Sequence, residues 1–164
     1  MPNIDKIISD VIDAEGGDKE TNRPNDSGGR TKWGISERSN PEAWADGDVT
    51  EEEAREIYLR KYLKSPGFDR IPYIRLQHQL VDFGVLSGPE IAIKKLQEIL
   101  RVDVDGVIGP QTLGALSDEN WKEVNDKLVI SRVRMLCRIV QRRPKDLENL
   151  VGWVNRAFEF SFLG

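Results

Sequence analysis

Residues 11–36 read Val11-Ile12-Asp13-Ala14-Glu15-Gly16-Gly17-Asp18-Lys19-Glu20-Thr21-Asn22-Arg23-Pro24-Asn25-Asp26-Ser27-Gly28-Gly29-Arg30-Thr31-Lys32-Trp33-Gly34-Ile35-Ser36. A glutamate closes an amphipathic run, two glycines follow, and a polar loop with Asp26, Gly28 and Gly29 leads into a short strand-like segment with Thr31, Trp33 and Gly34. Upstream, Ile4, Ile7, Ile8, Val11 and Ile12 recur at i, i+3, i+4, i+7 and i+8, the spacing of a helix with one buried face. Gly16, directly after Glu15, predicts a left-handed cap and puts Glu15 in the last turn. There the carbonyl end of the helix dipole repels negative charge, which favours the proton-bearing acid, as does partial burial beside a core. A glutamic acid that keeps its proton near neutral pH suits general acid chemistry.

The plainer alternative is a solvated helix-end glutamate followed by a glycine stop signal. The residues downstream count against it. Asp26 lies in a loop able to fold back over the helix end, Gly28 and Gly29 permit close approach or positive φ, and Thr31 opens a segment whose alternation brings its hydroxyl to the same side. Two carboxyl groups and a hydroxyl facing a groove suit glycosidic bond hydrolysis: one acid protonates the leaving oxygen, and the other groups hold water or stabilise the oxocarbenium-like transition state. Taken alone, Asn25-Asp26-Ser27-Gly28-Gly29 also reads as an ordinary tight turn between strands.

Glu15-Gly16-Gly17, Asp26-x-Gly28-Gly29-x-Thr31 and Gly34-Ile35-Ser36 resemble the opening motif of glycoside hydrolase family 108, the N-acetylmuramidase endolysins of phages and prophages. The resemblance continues in Ala54-x-x-Ile57-Tyr58 and Tyr62, in Ala92-Ile93-Lys94-x-Leu96-Gln97, in Val104-Asp105-Gly106-Val107-Ile108-Gly109-Pro110-x-Thr112-Leu113, and in Gly152-Trp153-x-Asn155-Arg156. It implies Glu15 as the catalytic acid. The Glu…Asp…Thr order is also similar to the triad of the small phage lysozymes, which implies water-positioning and charge-stabilising roles for Asp26 and Thr31. The chain departs from the pattern at Leu86, where related sequences commonly carry Asn.

The 164 residues suffice for one domain with a proper core. With 38% hydrophobic and 32% charged residues the composition is that of a soluble globular protein, and no run approaches the roughly 20 apolar residues of a membrane span. Ile4 to Ile12 is interrupted by Asp5, Lys6, Ser9 and Asp10, so a surface helix is expected there and not a secretory signal. The single cysteine, Cys137, excludes an internal disulfide and is expected to be a buried core thiol. With one histidine, His78, and one cysteine, no zinc site of the usual ligand set can be assembled, and neither metal nor cofactor is expected. The net charge of −4 hides an acidic first third and a slightly basic remainder, a balance that argues against a nucleic-acid binder.

Thr50 and Glu53 form a capping box that starts a helix through Ala54, Ile57, Tyr58 and Tyr62. Tyr58 and Tyr62, four apart, share a face and serve either as a saccharide platform or as core tyrosines. Ser65-Pro66-Gly67 breaks that helix, a helix spans residues 73–86 with Asp82 as a polar member, and Pro89 opens the next, through Ile93, Leu96 and Leu100. Asp103-x-Asp105-Gly106 invites a calcium reading, but position 114 is glycine where the closing glutamate belongs, so a tight loop into Gly109-Pro110 and a short helix is the better reading. Residues 118–142 carry a wide apolar face and form the central helix, with Arg134, Arg138 and Arg142 repeating at i+4 on another side. Those arginines are either a solvated face or an attraction for anionic wall or membrane. After Pro144 a last helix carries Val151, Val154, Ala157 and Phe158.

The expected fold is mainly α, an α+β lysozyme-like arrangement in which a helical bundle has a small β-hairpin beside the active-site cleft. It forms a single catalytic domain over residues 1–164, with a catalytic lobe at 1–86 and a peptidoglycan-binding-like helical lobe at 87–164. Glu15, Asp26 and Thr31 are the candidate catalytic residues. Tyr58, Tyr62, Trp33, Trp153 and Arg156 are the candidates for binding sugar. By the resemblance, the chain is expected to be a monomeric peptidoglycan hydrolase cleaving the β-1,4 bond between N-acetylmuramic acid and N-acetylglucosamine. It would be held in the host cytoplasm until a membrane pore releases it to the periplasm, where it causes lysis, with no nucleic-acid partner and at most a weak contact with anionic membrane. A lytic transglycosylase would use one acid/base glutamate and no activated water, leaving Asp26 and Thr31 without a task. A non-catalytic peptidoglycan-binding protein is the third reading.

Overall fold

The computed structural model describes residues 3–22 and 29–162, so Asp26 and Gly28 lie outside the described residues. The chain divides into two compact units, residues 1–65 and 66–164. Among the described residues there are seven α-helices and one two-stranded antiparallel sheet, a mainly α fold as expected.

In the first unit, α1 (Ile4–Ala14) starts at Asn3, whose side-chain oxygen accepts the Lys6 backbone N–H at 2.9 Å and so satisfies one of the free donors of a helix start. Ile7, Ile8, Val11 and Ile12 are buried, the stripe predicted from their spacing. Strands β1 (Thr31–Lys32) and β2 (Ile35–Ser36) pair antiparallel, Thr31 opposite Ser36 and Lys32 opposite Ile35. Trp33 and Gly34 join them at φ 54° and 73°, the left-handed pair that matches the twist of a tight hairpin. Thr21 adds a bridge on the far side of β1, exchanging two 2.8 Å backbone hydrogen bonds with Thr31. The Thr50–Glu53 capping box opens α2 (Glu51–Tyr58), which continues as a π-helical stretch, Leu59–Lys64. Such widened turns recur at functional sites. Arg55 ties α2 to α1 through a 2.8 Å hydrogen bond to the Ser9 hydroxyl.

In the second unit, α3 (Ile74–Ser87) packs on α4 (Pro89–Leu100), which packs on α5 (Pro110–Ser117) and on the long α6 (Trp121–Arg142); α7 (Leu147–Phe158) returns along α6. Leu76, Leu80, Phe83, Leu96, Leu128 and Val129 are fully buried among them. Gln97 makes the most bonds to the loop between α4 and α5, which the Asp105, Thr112 and Arg70 side chains also hold. Gln97, 1% exposed, accepts the Gly106 N–H at 2.9 Å and donates to Asp105 Oδ1 at 2.7 Å and the Val107 carbonyl at 3.0 Å. Asp105 Oδ1 also accepts the Val107 N–H at 2.8 Å.

One expectation is corrected here. Cys137 is exposed and not a core thiol. It follows buried Leu136, and one residue is about 100° around a helix, which carries it off the stripe of Leu128, Leu136 and Val140. On α7 only Ala157 is buried, while Val151 and Phe158 are 69% and 48% exposed.

Candidate active site

Glu15 is the capping residue of α1. Its N–H reaches the Val11 and Ile12 carbonyls at 3.0 and 3.2 Å, the Gly16 N–H bonds to the Asp13 carbonyl at 3.2 Å, and the Gly17 N–H to Ile12 at 3.0 Å. These nested bonds are the Schellman closure, which requires a left-handed residue just past the helix; Gly16 and Gly17 stand at φ 108° and 59°. The reversal leaves the Gly17 carbonyl free to accept the Trp33 N–H at 3.0 Å. That bond brings the hairpin turn onto the helix end.

The closeness of the approach is read at Gly34. A Cβ there would lie 2.7 Å from Glu15 Cβ and 3.2 Å from Glu15 Cγ, and would collide with the Tyr58 hydroxyl. Only glycine meets both the left-handed φ and the space. Tyr58, 2% exposed, donates its hydroxyl to the Trp33 carbonyl at 3.1 Å. Its ring lies 5.7 Å from that of Tyr62, tilted by 37°. Burial, and after it the charge on Glu15, push the Tyr62 phenol above its ordinary range. It therefore stays a donor throughout the working range of pH. Glu15 itself is half-buried, with Oε1 shielded from solvent. A carboxyl group is thus set among a hairpin turn and two tyrosines, in a place that limits water.

Trp33 carries strain. At φ 54° it is one of two non-glycine residues in the left-handed region among those described, and its buried Nε1 has no hydrogen-bond partner among them. Bulky side chains are rarely held so except where the surroundings demand it, and such outliers gather at functional sites. Here the demand is visible: both backbone polar groups of Trp33 are used, one by Gly17 and the other by Tyr58.

The structure therefore brings Glu15, Trp33, Tyr58 and Tyr62 into one neighbourhood. Thr31 stands two residues before the turn, half-exposed, with its backbone engaged by Thr21 and β2. Asp26 lies outside the described residues. Tyr58 is a core tyrosine with a satisfied hydroxyl, and Tyr62, half-buried, keeps the more open position of the pair. Trp153 and Arg156 belong to the second unit. There Trp153 is half-buried, and Arg156 places Nε and Nη2 each 2.8 Å from Asp82 Oδ1. Arg132 Nη2 takes the other oxygen of Asp82 at 2.6 Å, with Arg132 and Asp82 1% and 3% exposed. Burial draws the Arg132 guanidinium pKa down, opposed by the charge of Asp82. Sequence reasoning missed this cluster, although Arg132 interrupts the buried stripe between Leu128 and Leu136, four residues from each. Among the described residues no three His, Cys, Asp or Glu side chains stand together as metal ligands.

The sequence matches the family model described as Glycosyl hydrolase 108 over residues 8–88, and the one described as Predicted Peptidoglycan domain over residues 91–158. Among solved structures, that of Brucella abortus SagA is similar, at 29% identity and a TM-score of 0.74, covering 97% of this chain and 95% of that one. No curated protein sequence matches the chain.

Proposed function

Given that the chain belongs to glycosyl hydrolase family 108, and so is a glycoside hydrolase with peptidoglycan as its partner, we propose that it hydrolyses the β-1,4 bond between N-acetylmuramic acid and N-acetylglucosamine with Glu15 as general acid. One observation supports this above the others: the hairpin turn is packed against the very residue that ends α1, closely enough that Gly34 could not be alanine without moving Glu15 or the turn itself. A surface glutamate needs no such support. A proton donor does, because its proton must lie within hydrogen-bond reach of the leaving oxygen.

In this reading the Glu15 carboxyl gives its proton to the glycosidic oxygen as the bond to the anomeric carbon breaks. Water adds to that carbon and gives up its own proton, which restores the acid. Asp26 and Thr31 hold the water and offset the positive charge that develops on the sugar ring. Tyr62, kept protonated, is a hydrogen-bond donor close enough to feel the charge of the same carboxyl, and Trp33 offers an aromatic face for a sugar ring. General acid catalysis supplies about 10²–10⁴-fold in rate. Glu15→Gln keeps the shape and removes the acid, so it should lose about 10³-fold in the clearing of purified sacculi while still sedimenting with them. Clearing at the wild-type rate would refute the assignment.

The lytic role completes the proposal. The chain acts as an endolysin, held inside the host as a monomer until a membrane pore admits it to the wall. Induced cells should keep their turbidity until the inner membrane is permeabilised and then lose it within minutes. Lysis upon induction alone would contradict this step.

A further inference from the structure

The second unit contains a groove of about 780 Å³ running along α4 and α6. Ile99, Met135 and Ile139, half-buried, give it an apolar lining with exposed Ile130 beside them, and the rest of the lining is mostly cationic. Arg134, Arg138 and Arg142 rise from successive turns of α6, with Arg101 opposite at the end of α4. The carboxylates on the rim are Glu98 and Glu119, and Glu98 is taken by Lys95 at 2.7 Å. Among the described residues none of the four arginines has a carboxylate partner, whereas Lys95 and Lys127, which line the same groove, are paired with Glu98 and Glu123. A merely solvated face also carries unpaired arginines, but it need not line a concave wall beside apolar side chains.

Arg101 adds an independent sign. It caps α4 at φ 59°, with its N–H on the Gln97 and Glu98 carbonyls. Glycine or asparagine is usual at a left-handed helix end, because a side chain there is strained. The chain tolerates an arginine in that place, and the arginine lines the groove.

We infer that this groove binds the stem peptide of peptidoglycan through its carboxylates. The inference rests on peptidoglycan being the partner, and every lining residue falls within the stretch that matches the peptidoglycan domain model, residues 91–158. A stem peptide presents several carboxylates along a short extended chain, matching arginines spaced one helical turn apart, and its alanine methyl groups suit the apolar side chains of the lining. A diamino acid in the peptide also carries an ammonium group, for which Glu119 is the rim carboxylate without a lysine or arginine partner among the described residues.

The test titrates the soluble tetrapeptide L-Ala-γ-D-Glu-meso-diaminopimelate-D-Ala into the full chain, wild type and Arg134→Gln/Arg138→Gln, followed by amide NMR shifts and calorimetry. Wild type should bind with shifts confined to α4 and α6 and weaken with salt, and the double variant should bind at least tenfold more weakly. Arg101→Gly relieves the strained cap, so it should raise the melting temperature and yet weaken the peptide several-fold, a combination that loss of folding cannot produce. No shifts in α4 and α6, equal affinity in the double variant, or arginine-dependent binding to phosphatidylglycerol vesicles without peptide binding would each overturn the inference. Hydrolysis of glycan strands stripped of peptides by an amidase, lost only in Glu15→Gln, tests the catalytic reading separately, so either can fail alone.

Discussion

Gly34→Ala is the sharpest probe of how the hairpin holds Glu15. The new methyl group has two costs. An alanine at φ 73° loses about 1 kcal/mol against glycine, and forcing a carbon to within 2.7 Å of Glu15 Cβ and onto the Tyr58 hydroxyl adds about 1–3 kcal/mol of overpacking. The hairpin could lift away instead, but that would break the Trp33 N–H bond to Gly17 and the Tyr58 bond to the Trp33 carbonyl, at about 1 kcal/mol each. Both routes cost about 2–4 kcal/mol, roughly 5–15 °C in melting temperature for a chain of this size. Both also displace Glu15 or its surroundings by something near 1 Å, a shift that costs about 10²-fold in rate when a catalytic group must be aligned. Thermal unfolding and reducing-end release from purified peptidoglycan measure the two effects. In a Tyr58→Phe background the methyl group meets one atom fewer, so the two substitutions should couple by about 1 kcal/mol. An unchanged rate with unchanged melting temperature, or strict additivity with Tyr58→Phe, would refute the packing argument.

Asp82→Asn leaves the buried Arg132 guanidinium and the half-buried Arg156 guanidinium without their shared carboxylate and should destabilise the second unit by about 3–5 kcal/mol, seen as a loss of its cooperative melting. Asp105 is held below its ordinary pKa, first by the Gln97 side chain and then by the Val107 N–H. A depressed carboxylate stabilises the fold above its unfolded pKa and loses that contribution as pH falls through the folded value. The Val107 amide shift should therefore titrate below the ordinary aspartate range, and in Gln97→Leu its midpoint should move upward. Asn3→Ala removes the side-chain cap of the helix that carries Glu15 and should cost about 1 kcal/mol by denaturant unfolding, with the rate on peptidoglycan nearly unchanged.

What the sequence made legible was local. The apolar spacing of Ile4 to Ile12, the stop at Gly16, the capping box at Thr50 and the prolines at 89 and 110 are short-range signals, and each marks an element where it was expected. The less legible features are made by residues far apart in the chain. Tyr58 reads equally as platform or core until its hydroxyl is seen on the Trp33 carbonyl, 25 residues away. Asp82 reads as a polar helix member until Arg132 and Arg156, 50 and 74 residues on, close around it. The left-handed backbone of Trp33 is hidden for another reason: a tryptophan is among the last residues that turn preferences would place there, so the tertiary contacts override the local rule. Around Glu15, the motif pointed to a site, and the close approach of Gly34 supplied the physical reason for its glycine.

The measurement that bears most directly on the central claim is mass spectrometry of the muropeptides released from purified peptidoglycan by wild type and by Glu15→Gln. Hydrolysis with Glu15 as acid predicts fragments ending in reducing N-acetylmuramic acid from wild type and almost none from the variant. Fragments with 1,6-anhydro ends would mean that the glutamate drives a transglycosylase, and reducing ends released equally by both proteins would place the acid elsewhere in the chain.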